Sequence, residues 1–169
     1  MPVFVLLLRA VNVGGTGKLP MSDLKRLCEK AGFHNVRTYI ASGNVVAERD
    51  GSGTQAKAAL EAELEAYAGK SVSVIVRTAA EMAKVVADNP FPDRPASRTV
   101  AIFLEHAPPP DALKTVKGRA NEEVRSSARE IFVQYPDGIG RSKLRIPAAD
   151  DGTARNMNTV ARLAAMAAE

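Results

Sequence analysis

The stretch "NVRTYIASGNVVAE", Asn35–Glu48, decides the fold because it holds two runs of strand-forming residues with a turn signal between them. β-Branched and aromatic side chains favour strands, and the pair Gly43-Asn44 is typical of a turn that joins two strands. We therefore predict a β-hairpin over residues 35–48. As part of a hairpin turn, the segment Ser42–Asn44 requires no further function.

A strand and a helix precede the hairpin, and a helix and a strand follow it. The apolar run Val3–Arg9 predicts a central strand buried on both faces, and apolar residues at helical spacing predict a helix over residues 21–31. After the hairpin, capping residues at 52–54 predict a helix to about Ala68, and "SVSVIVR" (71–77) predicts a strand. The order β-α-β-β-α-β is that of a ferredoxin-like unit, with an antiparallel sheet and both helices on one side.

Three segments of the second half of the chain are similar in sequence to segments of the first half. "VAIFLEHA" (100–107) resembles "VFVLLLRA" (3–10), "DALKTV" (111–116) resembles "SDLKRL" (22–27), and "EVRSSAREIFVQY" (123–135) resembles "NVRTYIASGNVVA" (35–47). The similar segments occur in the same order in both halves, which indicates a tandem duplication. We therefore predict an α+β fold of tandem ferredoxin-like halves with antiparallel sheets, residues 1–78 and residues 79–169.

The last segment, "DDGTARNMNTVARLAAMAAE" (150–169), predicts a C-terminal helix with Thr153 as its N-cap. The residues expected on its buried face are Met157, Val160, Ala161 and Ala164. The residues expected on its polar face are Arg155, Asn158, Thr159 and Arg162. Such a row of donors suits a phosphate, a carboxylate or a carbonyl group, either of a ligand or of a nearby loop.

Composition narrows the class of protein. The chain has 169 residues and a net charge of +4, which suits one or two small domains and lacks the dense basic patch of a dedicated duplex-DNA binder. Its one cysteine, Cys28, cannot form an intramolecular disulfide. The apolar run at the start is too short for a signal sequence or a membrane span. We expect a soluble, cytoplasmic protein that does not associate with membranes.

A glycine-rich loop lies within "LRAVNVGGTGKLPMSDLKRL" (8–27). A P-loop would need Gly at position 12 and Ser or Thr at position 19, but Asn12 and Leu19 stand there. The dinucleotide-binding pattern also fails, because Pro20 occupies the place of its third glycine. The loop is therefore neither of these nucleotide-binding motifs.

A less specific role of the same loop is to bind an anion. Three glycines would let backbone N–H groups approach a ligand closely, and they are Gly14, Gly15 and Gly17. The loop leads into the N-terminus of a helix, which favours anions, and Arg9 and Lys18 add positive charge. A flexible crossover would account for the glycines equally well, so both interpretations stay open.

Residues typical of catalysis and metal binding are scarce. Cys28 falls on the apolar face of the first predicted helix, which indicates a core residue, and His34 and His106 do not have the spacing of metal ligands. We therefore assign no catalytic residue, no metal and no cofactor. The third predicted strand has no aromatic residue on which RNA bases could stack, so we do not expect nucleic acid to bind on the sheet face.

Taken together, these segments resemble the bacterial domain-of-unknown-function 1697 family. The matching pieces are "LRAVNVGG", "KLPMSDLKRL", "NVRTYIASGNVV", "NPF" and "ARNMNTVARL". The positions similar to the family signature are Arg9, Asn12, Gly14, Gly15, Ser42, Gly43, Asn44, Arg155, Asn156, Asn158 and Thr159. The sequence departs from the pattern at Ala10, where members typically have Gly, and at Met157, where they typically have Trp. The resemblance implies tandem ferredoxin-like halves and supplies no activity, substrate or catalytic residue.

Our leading hypothesis is that the protein binds, with or without turnover, a small anionic or phosphorylated ligand where the glycine-rich loop meets the C-terminal helix. The expected ligand-binding residues are Arg9, Asn12, Gly14, Gly15, Gly17, Lys18, Arg155, Asn158 and Thr159. The alternative is a non-catalytic module for protein interaction or self-association, and the third option is weak nucleic-acid binding. The oligomeric state stays open.

Overall fold

A computed structural model describes residues 1–9, 19–40 and 43–169 of the chain. It contains two compact units, Met1–Ala83 together with Leu163–Glu169, and Lys84–Arg162. The sequence-based division after residue 78 stays a prediction about folding domains.

The first unit contains a four-stranded antiparallel sheet. Its strands are β1 (Val3–Leu8), β2 (His34–Thr38), β3 (Asn44–Glu48) and β4 (Val74–Thr78), in the order β2-β3-β1-β4. Helix α1 (Met21–Lys30) lies between β1 and β2 in the chain, and α2 (Gly53–Ala68) lies between β3 and β4. The predicted ferredoxin-like order and the hairpin are both confirmed. The turn of the hairpin comes before Asn44, because Asn44 already pairs with Leu7 of β1.

The core of the first unit lies between one face of this sheet and the two helices. The apolar side chains that meet there from β1, α1 and α2 are Phe4, Leu6, Leu8, Leu24, Leu27, Leu60 and Leu64. Both helices therefore cover the same face, as predicted. Val5 and Leu7 point to the opposite face and are also fully buried, which confirms the central strand buried on both faces.

Local signals place the ends of α2 where the sequence predicts them. The Ser52 hydroxyl accepts a hydrogen bond from the Gln55 N–H at 3.1 Å, and the Gln55 side chain accepts one from the Ser52 N–H at 2.9 Å. This reciprocal pair is a capping box. The helix ends before Gly69, whose φ of 73° is the left-handed conformation that terminates many helices.

The second unit contains a sheet with the corresponding strand order. Its strands are β5 (Thr99–Phe103), β6 (Glu123–Ser126), β7 (Glu130–Gln134) and β8 (Thr153–Asn156), in the order β6-β7-β5-β8. The α+β fold in two halves is thus confirmed. The segment 111–116, which resembles part of the first predicted helix, forms only a short 3₁₀ helix, Ala112–Thr115. Prolines at 108–110 and Gly118 bracket this segment and leave too few residues for a stable α-helix.

Helices α3 (Ala79–Ala87) and α4 (Met157–Ala168) follow the last strand of each sheet. The prediction that Thr153 caps the C-terminal helix is wrong, because Thr153 belongs to β8 and pairs with Phe103 of β5. The cap is Asn156, whose side-chain oxygen accepts a hydrogen bond from the Thr159 N–H at 3.0 Å.

The buried face of α4 also differs in part from the prediction. Its buried apolar residues are Met157, Val160, Leu163, Met166 and Ala167. Ala161 is exposed and Ala164 is half-buried, so the stripe runs along the side of the helix marked by Leu163 and Ala167. No helix in the described part of the chain combines the length and the apolar character that spanning a bilayer requires.

Candidate functional site

The C-terminal end of β1 is hydrogen-bonded to two other backbone segments of the first unit. The Leu8 N–H donates to the carbonyl oxygen of Gly43, and the Arg9 N–H donates to that of Ser73, each over 2.9 Å. These bonds fix the start of the glycine-rich loop beside the turn between β2 and β3. Arg9, one of the predicted site residues, is half-buried at this position.

Asn44 closes the turn between β2 and β3. Its backbone oxygen accepts from the Tyr39 N–H at 3.0 Å, and its side-chain Nδ2 donates to the Tyr39 carbonyl oxygen at 2.9 Å. Gly43 has a φ of 81°, which residues with a side chain rarely adopt. Gly43 and Asn44 therefore shape the turn, while Ser42 lies outside the described residues.

The same turn contains a strained residue. Ile40 has a φ of 49°, a left-handed conformation that is costly for a β-branched side chain. The residue is also 51% exposed, so burial of its side chain does not offset that cost. Backbone strain of this kind concentrates at functional sites, and here it occurs in the turn to which Leu8 is bonded.

The other end of the glycine-rich loop is fixed by Leu19 and Pro20. Leu19 is buried in the core of the first unit, and the Pro20 carbonyl oxygen accepts from the N–H groups of Asp23 and Leu24 at 3.0 Å. Pro20 caps α1 without a side-chain hydrogen bond. The predicted site residues Asn12, Gly14, Gly15, Gly17 and Lys18 lie between these ends, outside the described residues.

Arg155 lies on strand β8 rather than on the C-terminal helix, which corrects the predicted polar stripe. Its Nη1 donates to the Thr153 hydroxyl at 2.6 Å and to the Ala154 carbonyl oxygen at 2.9 Å. Burial lowers the pKa of Arg155 to about 10, so the guanidinium still carries its charge at neutral pH. Arg155 is thus a buried cation bonded to its own strand.

Asn158 and Thr159 do lie on α4, but they differ in exposure. Asn158 is exposed, whereas Thr159 is buried and its backbone N–H is bonded to Asn156. The predicted row of Arg155, Asn158 and Thr159 on one helix face therefore does not form. The reason is that the chain stays extended through Asn156 in order to pair with β5.

Groups suited to direct chemistry are few in the described ranges. Within residues 1–9, 19–40 and 43–169, no three His, Cys, Asp or Glu side chains form a cluster that could hold a metal ion. Cys28 is fully buried in the first core, as predicted. Its burial and the charge of Glu29 raise the pKa of the thiol to about 12, so the thiol is protonated and a poor nucleophile.

Comparison with known proteins places the sequence in a family. Residues 1–132 match the family model described as a protein of unknown function, DUF1697. The chain belongs to this family. The family resemblance found in the sequence motifs is therefore confirmed. No protein among the curated ones compared matches the chain.

A solved structure shares the fold of this DUF1697 member. It is that of the conserved bacterial protein SP0830 from Streptococcus pneumoniae, with a TM-score of 0.81 and 20% sequence identity. The match covers 100% of this chain and 99% of that chain. At this level of identity, the similarity concerns the fold alone.

Sequence reasoning missed a hollow of about 230 Å³ in the second unit of this DUF1697 member. Glu122 and Tyr135 both line it. Glu123 pairs with Gln134 in the β6–β7 ladder, so the same register sets Glu122 opposite Tyr135 one residue beyond it. The segment 123–135, which resembles the first predicted hairpin, begins one residue after Glu122 and ends at Tyr135. The register of a hairpin over this segment is the signal that could have brought the two residues together.

Proposed function

We propose that the first unit binds a small anionic or phosphorylated ligand at the end of the sheet where β1 terminates, through Arg9 and the glycine-rich loop. The observation that carries this proposal is the pair of backbone bonds from Leu8 and Arg9. They hold the start of the loop beside the turn that contains the strained Ile40. Many ligand sites combine a charged residue, a glycine-rich loop and a strained turn at one end of a sheet.

The residues at this end of the sheet would contribute to binding in different ways. Gly14, Gly15 and Gly17 would let backbone N–H groups approach the ligand, and Arg9 and Lys18 would supply charge. The loop ends at the N-terminus of α1, where the helix dipole favours an anion. Charges and backbone donors stabilise an anion without exchanging protons or bonds with it, so the proposed role is binding.

The sequence-based site also includes three residues of the second unit. Asn158 is exposed and available to a ligand, whereas Arg155 and Thr159 are buried. The guanidinium of Arg155 is bonded within β8. The residues of the first unit are therefore the ones that test the proposal most directly.

The test is a thermal-shift titration of the full chain with inorganic phosphate, pyrophosphate and AMP at constant ionic strength. A ligand that binds only the folded state raises the melting temperature with its concentration. We expect at least one of these probes to do so. Removing a charge-assisted hydrogen bond costs about 1.5–3 kcal/mol, so Lys18→Ala should weaken the affinity about tenfold or more.

Lys25→Ala is the matched control. Lys25 is exposed on α1, and its loss changes the net charge by the same amount as the loss of Lys18. Its affinity for the probe should equal that of the wild type. Equal weakening in the two variants would indicate non-specific charge attraction, and the absence of any shift would overturn the proposal.

We also propose an origin by tandem duplication and a cytoplasmic location for this protein. The matching strand orders of the two sheets support a tandem duplication, with the helices of the first unit replaced by 3₁₀ turns in the second. The single cysteine fits a reducing compartment such as the cytoplasm. We propose both on these grounds.

A further inference from the structure

The hollow of the second unit is bounded by three chain segments. They are the turn before β6, the turn after β7, and the end of the 3₁₀ helix Ile139–Arg141 with the two residues that follow it. Its volume of about 230 Å³ equals that of about eight water molecules in the liquid. A compact organic molecule of the size of an amino acid fits this space.

Glu122 supplies a fixed negative charge to the wall of the hollow. It is 4% exposed, and its carboxylate accepts hydrogen bonds from the Ser142 hydroxyl and the Ala120 N–H. These two bonds hold the pKa of the carboxyl below its ordinary value, so it is ionised at neutral pH. Each carboxylate oxygen has a second lone pair that can accept a further hydrogen bond.

Tyr135 supplies a hydroxyl without a partner. Its side chain is 8% exposed and its ring belongs to the core of the second unit. The hydroxyl makes no hydrogen bond within residues 1–9, 19–40 and 43–169. Because no buried side-chain oxygen of these residues lacks a partner, the hydroxyl oxygen is accessible, and Tyr135 lines the hollow. A hydroxyl that is accessible and makes no bond within the described protein can donate to or accept from a ligand in the hollow.

Positive charges complete the lining. Arg141 and Lys143 line the same hollow and are exposed to solvent. Neither side chain has a hydrogen-bond or ion-pair partner among the residues that the structure describes. Asp137 also lines the hollow, is exposed, and accepts a hydrogen bond from Asn121. The hollow thus combines two carboxylates, of which Glu122 is buried, with two exposed cations. A molecule that carries charges of both signs matches this lining better than a simple anion or an apolar molecule does.

We propose that this hollow binds a small α-amino acid. Its ammonium group donates to the Glu122 carboxylate and the Tyr135 hydroxyl, and its carboxylate lies toward Arg141 and Lys143. An ammonium group matches the base of the site because it has three donors and no acceptor. A carboxylate matches the rim, where guanidinium and ammonium side chains form charge-assisted bonds. This site is independent of the anion site proposed for the first unit.

The test is isothermal titration calorimetry of the full chain with each of the twenty standard L-amino acids. The best binder is then compared with its N-acetyl form, which lacks the ammonium group, and with its amide, which lacks the carboxylate. We expect at least one amino acid to bind, and both modified forms to bind more weakly. The absence of binding by all twenty, or equal binding by the N-acetyl form, would overturn the proposal.

Tyr135→Phe is the most informative variant because it removes a single oxygen that makes no bond within the described protein. Its melting temperature should therefore match that of the wild type, while its affinity should fall about 2- to 10-fold, the worth of one hydrogen bond. Tyr67→Phe is the matched control, since the Tyr67 hydroxyl is bonded to Asp23 of the first unit. It should leave the affinity unchanged.

Glu122→Gln tests the charge at the base of the site. It should weaken binding about tenfold or more, as expected for a bond to an ionised group. Lys18→Ala should leave amino-acid binding unchanged, which separates this site from the one in the first unit. Wild-type affinity in Tyr135→Phe and Glu122→Gln would show that the amino acid binds elsewhere and would overturn the proposal.

Discussion

Arg77 and Arg155 occupy equivalent positions in the two sheets. Each is the next-to-last residue of the fourth strand, each is buried, and each is followed by one residue that caps a helix. Each Nη1 also donates to the carbonyl oxygen of the preceding residue, Val76 and Ala154 respectively. A buried guanidinium is costly unless its donors are satisfied, so the repeated arrangement indicates a structural role at the junction between strand and helix.

We predict that Arg155→Met destabilises the protein. The substitution removes the cation and leaves the buried Thr153 hydroxyl without this donor, and a buried unsatisfied group costs about 1–3 kcal/mol. Urea unfolding should show a loss of stability of at least about 1 kcal/mol. Arg162→Met, on the exposed side of α4, is the control and should stay within about 0.5 kcal/mol of the wild type. Equal stability of the two variants would contradict the structural role.

The cap of α4 gives a second prediction. Asn156→Ala removes the oxygen that accepts from the Thr159 N–H and should cost about 1 kcal/mol. Asn156→Asp keeps an acceptor and adds a charge that the helix dipole favours, so it should retain the stability of the wild type. Both values come from urea unfolding curves. A larger loss of stability in Asn156→Asp than in Asn156→Ala would contradict the assignment of Asn156 as the cap.

The start of α4 illustrates the limit of sequence reasoning. Thr153 has the chemistry of an N-cap, and the residues after it have helical periodicity, so local signals favour a helix from that point. Pairing with β5 overrides them because it completes the fourth strand of the sheet. The residues around Thr153 do not show in their own sequence that they pair with a distant strand. The capping and turn signals of α2 and of the first hairpin lie within those elements, and they predict them correctly.

The same contrast holds for the candidate sites. The sequence predicts a turn at Gly43 and Asn44 because the preference of these two residues for turns is a local property. Glu122 and Tyr135 are separated by twelve intervening residues and meet only through the register of β6 and β7. Register depends on which faces of the strands are buried, and an isolated Glu or Tyr in the sequence carries no sign of a partner.

Three glycines of the second unit form a series that separates steric collision from backbone strain. A Cβ on Gly118 would collide with the Lys143 carbonyl oxygen, and its φ is 69°. Gly138 has a φ of 86° but open space around it, and Gly140 has open space and no positive φ. Gly140→Ala should change stability by less than about 0.5 kcal/mol, Gly138→Ala should cost about 1–3 kcal/mol, and Gly118→Ala should cost more than either. Urea unfolding of the three variants tests this order.

Cys28 should be inert in the folded protein. Burial and the charge of Glu29 raise the pKa of its thiol to about 12, so almost no thiolate forms near neutral pH. Because Cys28 is the one cysteine of the chain, the absorbance change with a chromogenic disulfide reagent reports on it alone. We expect slow reaction of the native protein and rapid, stoichiometric reaction in guanidinium chloride. Rapid reaction without denaturant would show that the thiol is accessible.

Glu122 should make the protein lose stability in acid. Hydrogen bonds from Ser142 and Ala120 hold the pKa of Glu122 below its ordinary value of 4.5, so the folded state holds this proton less tightly than the unfolded chain does. The resulting stability is present above the unfolded pKa and is lost as the pH falls through the lower, folded pKa. Glu122→Gln should therefore be less stable than the wild type at neutral pH and should lose less stability between pH 5 and pH 2, roughly the acid range of a carboxyl group. Ser142→Ala removes only the largest cause of the shift and should fall between the two, as measured by urea unfolding at successive pH values. An acid slope in Glu122→Gln equal to that of the wild type would show that other carboxyl groups govern the acid response.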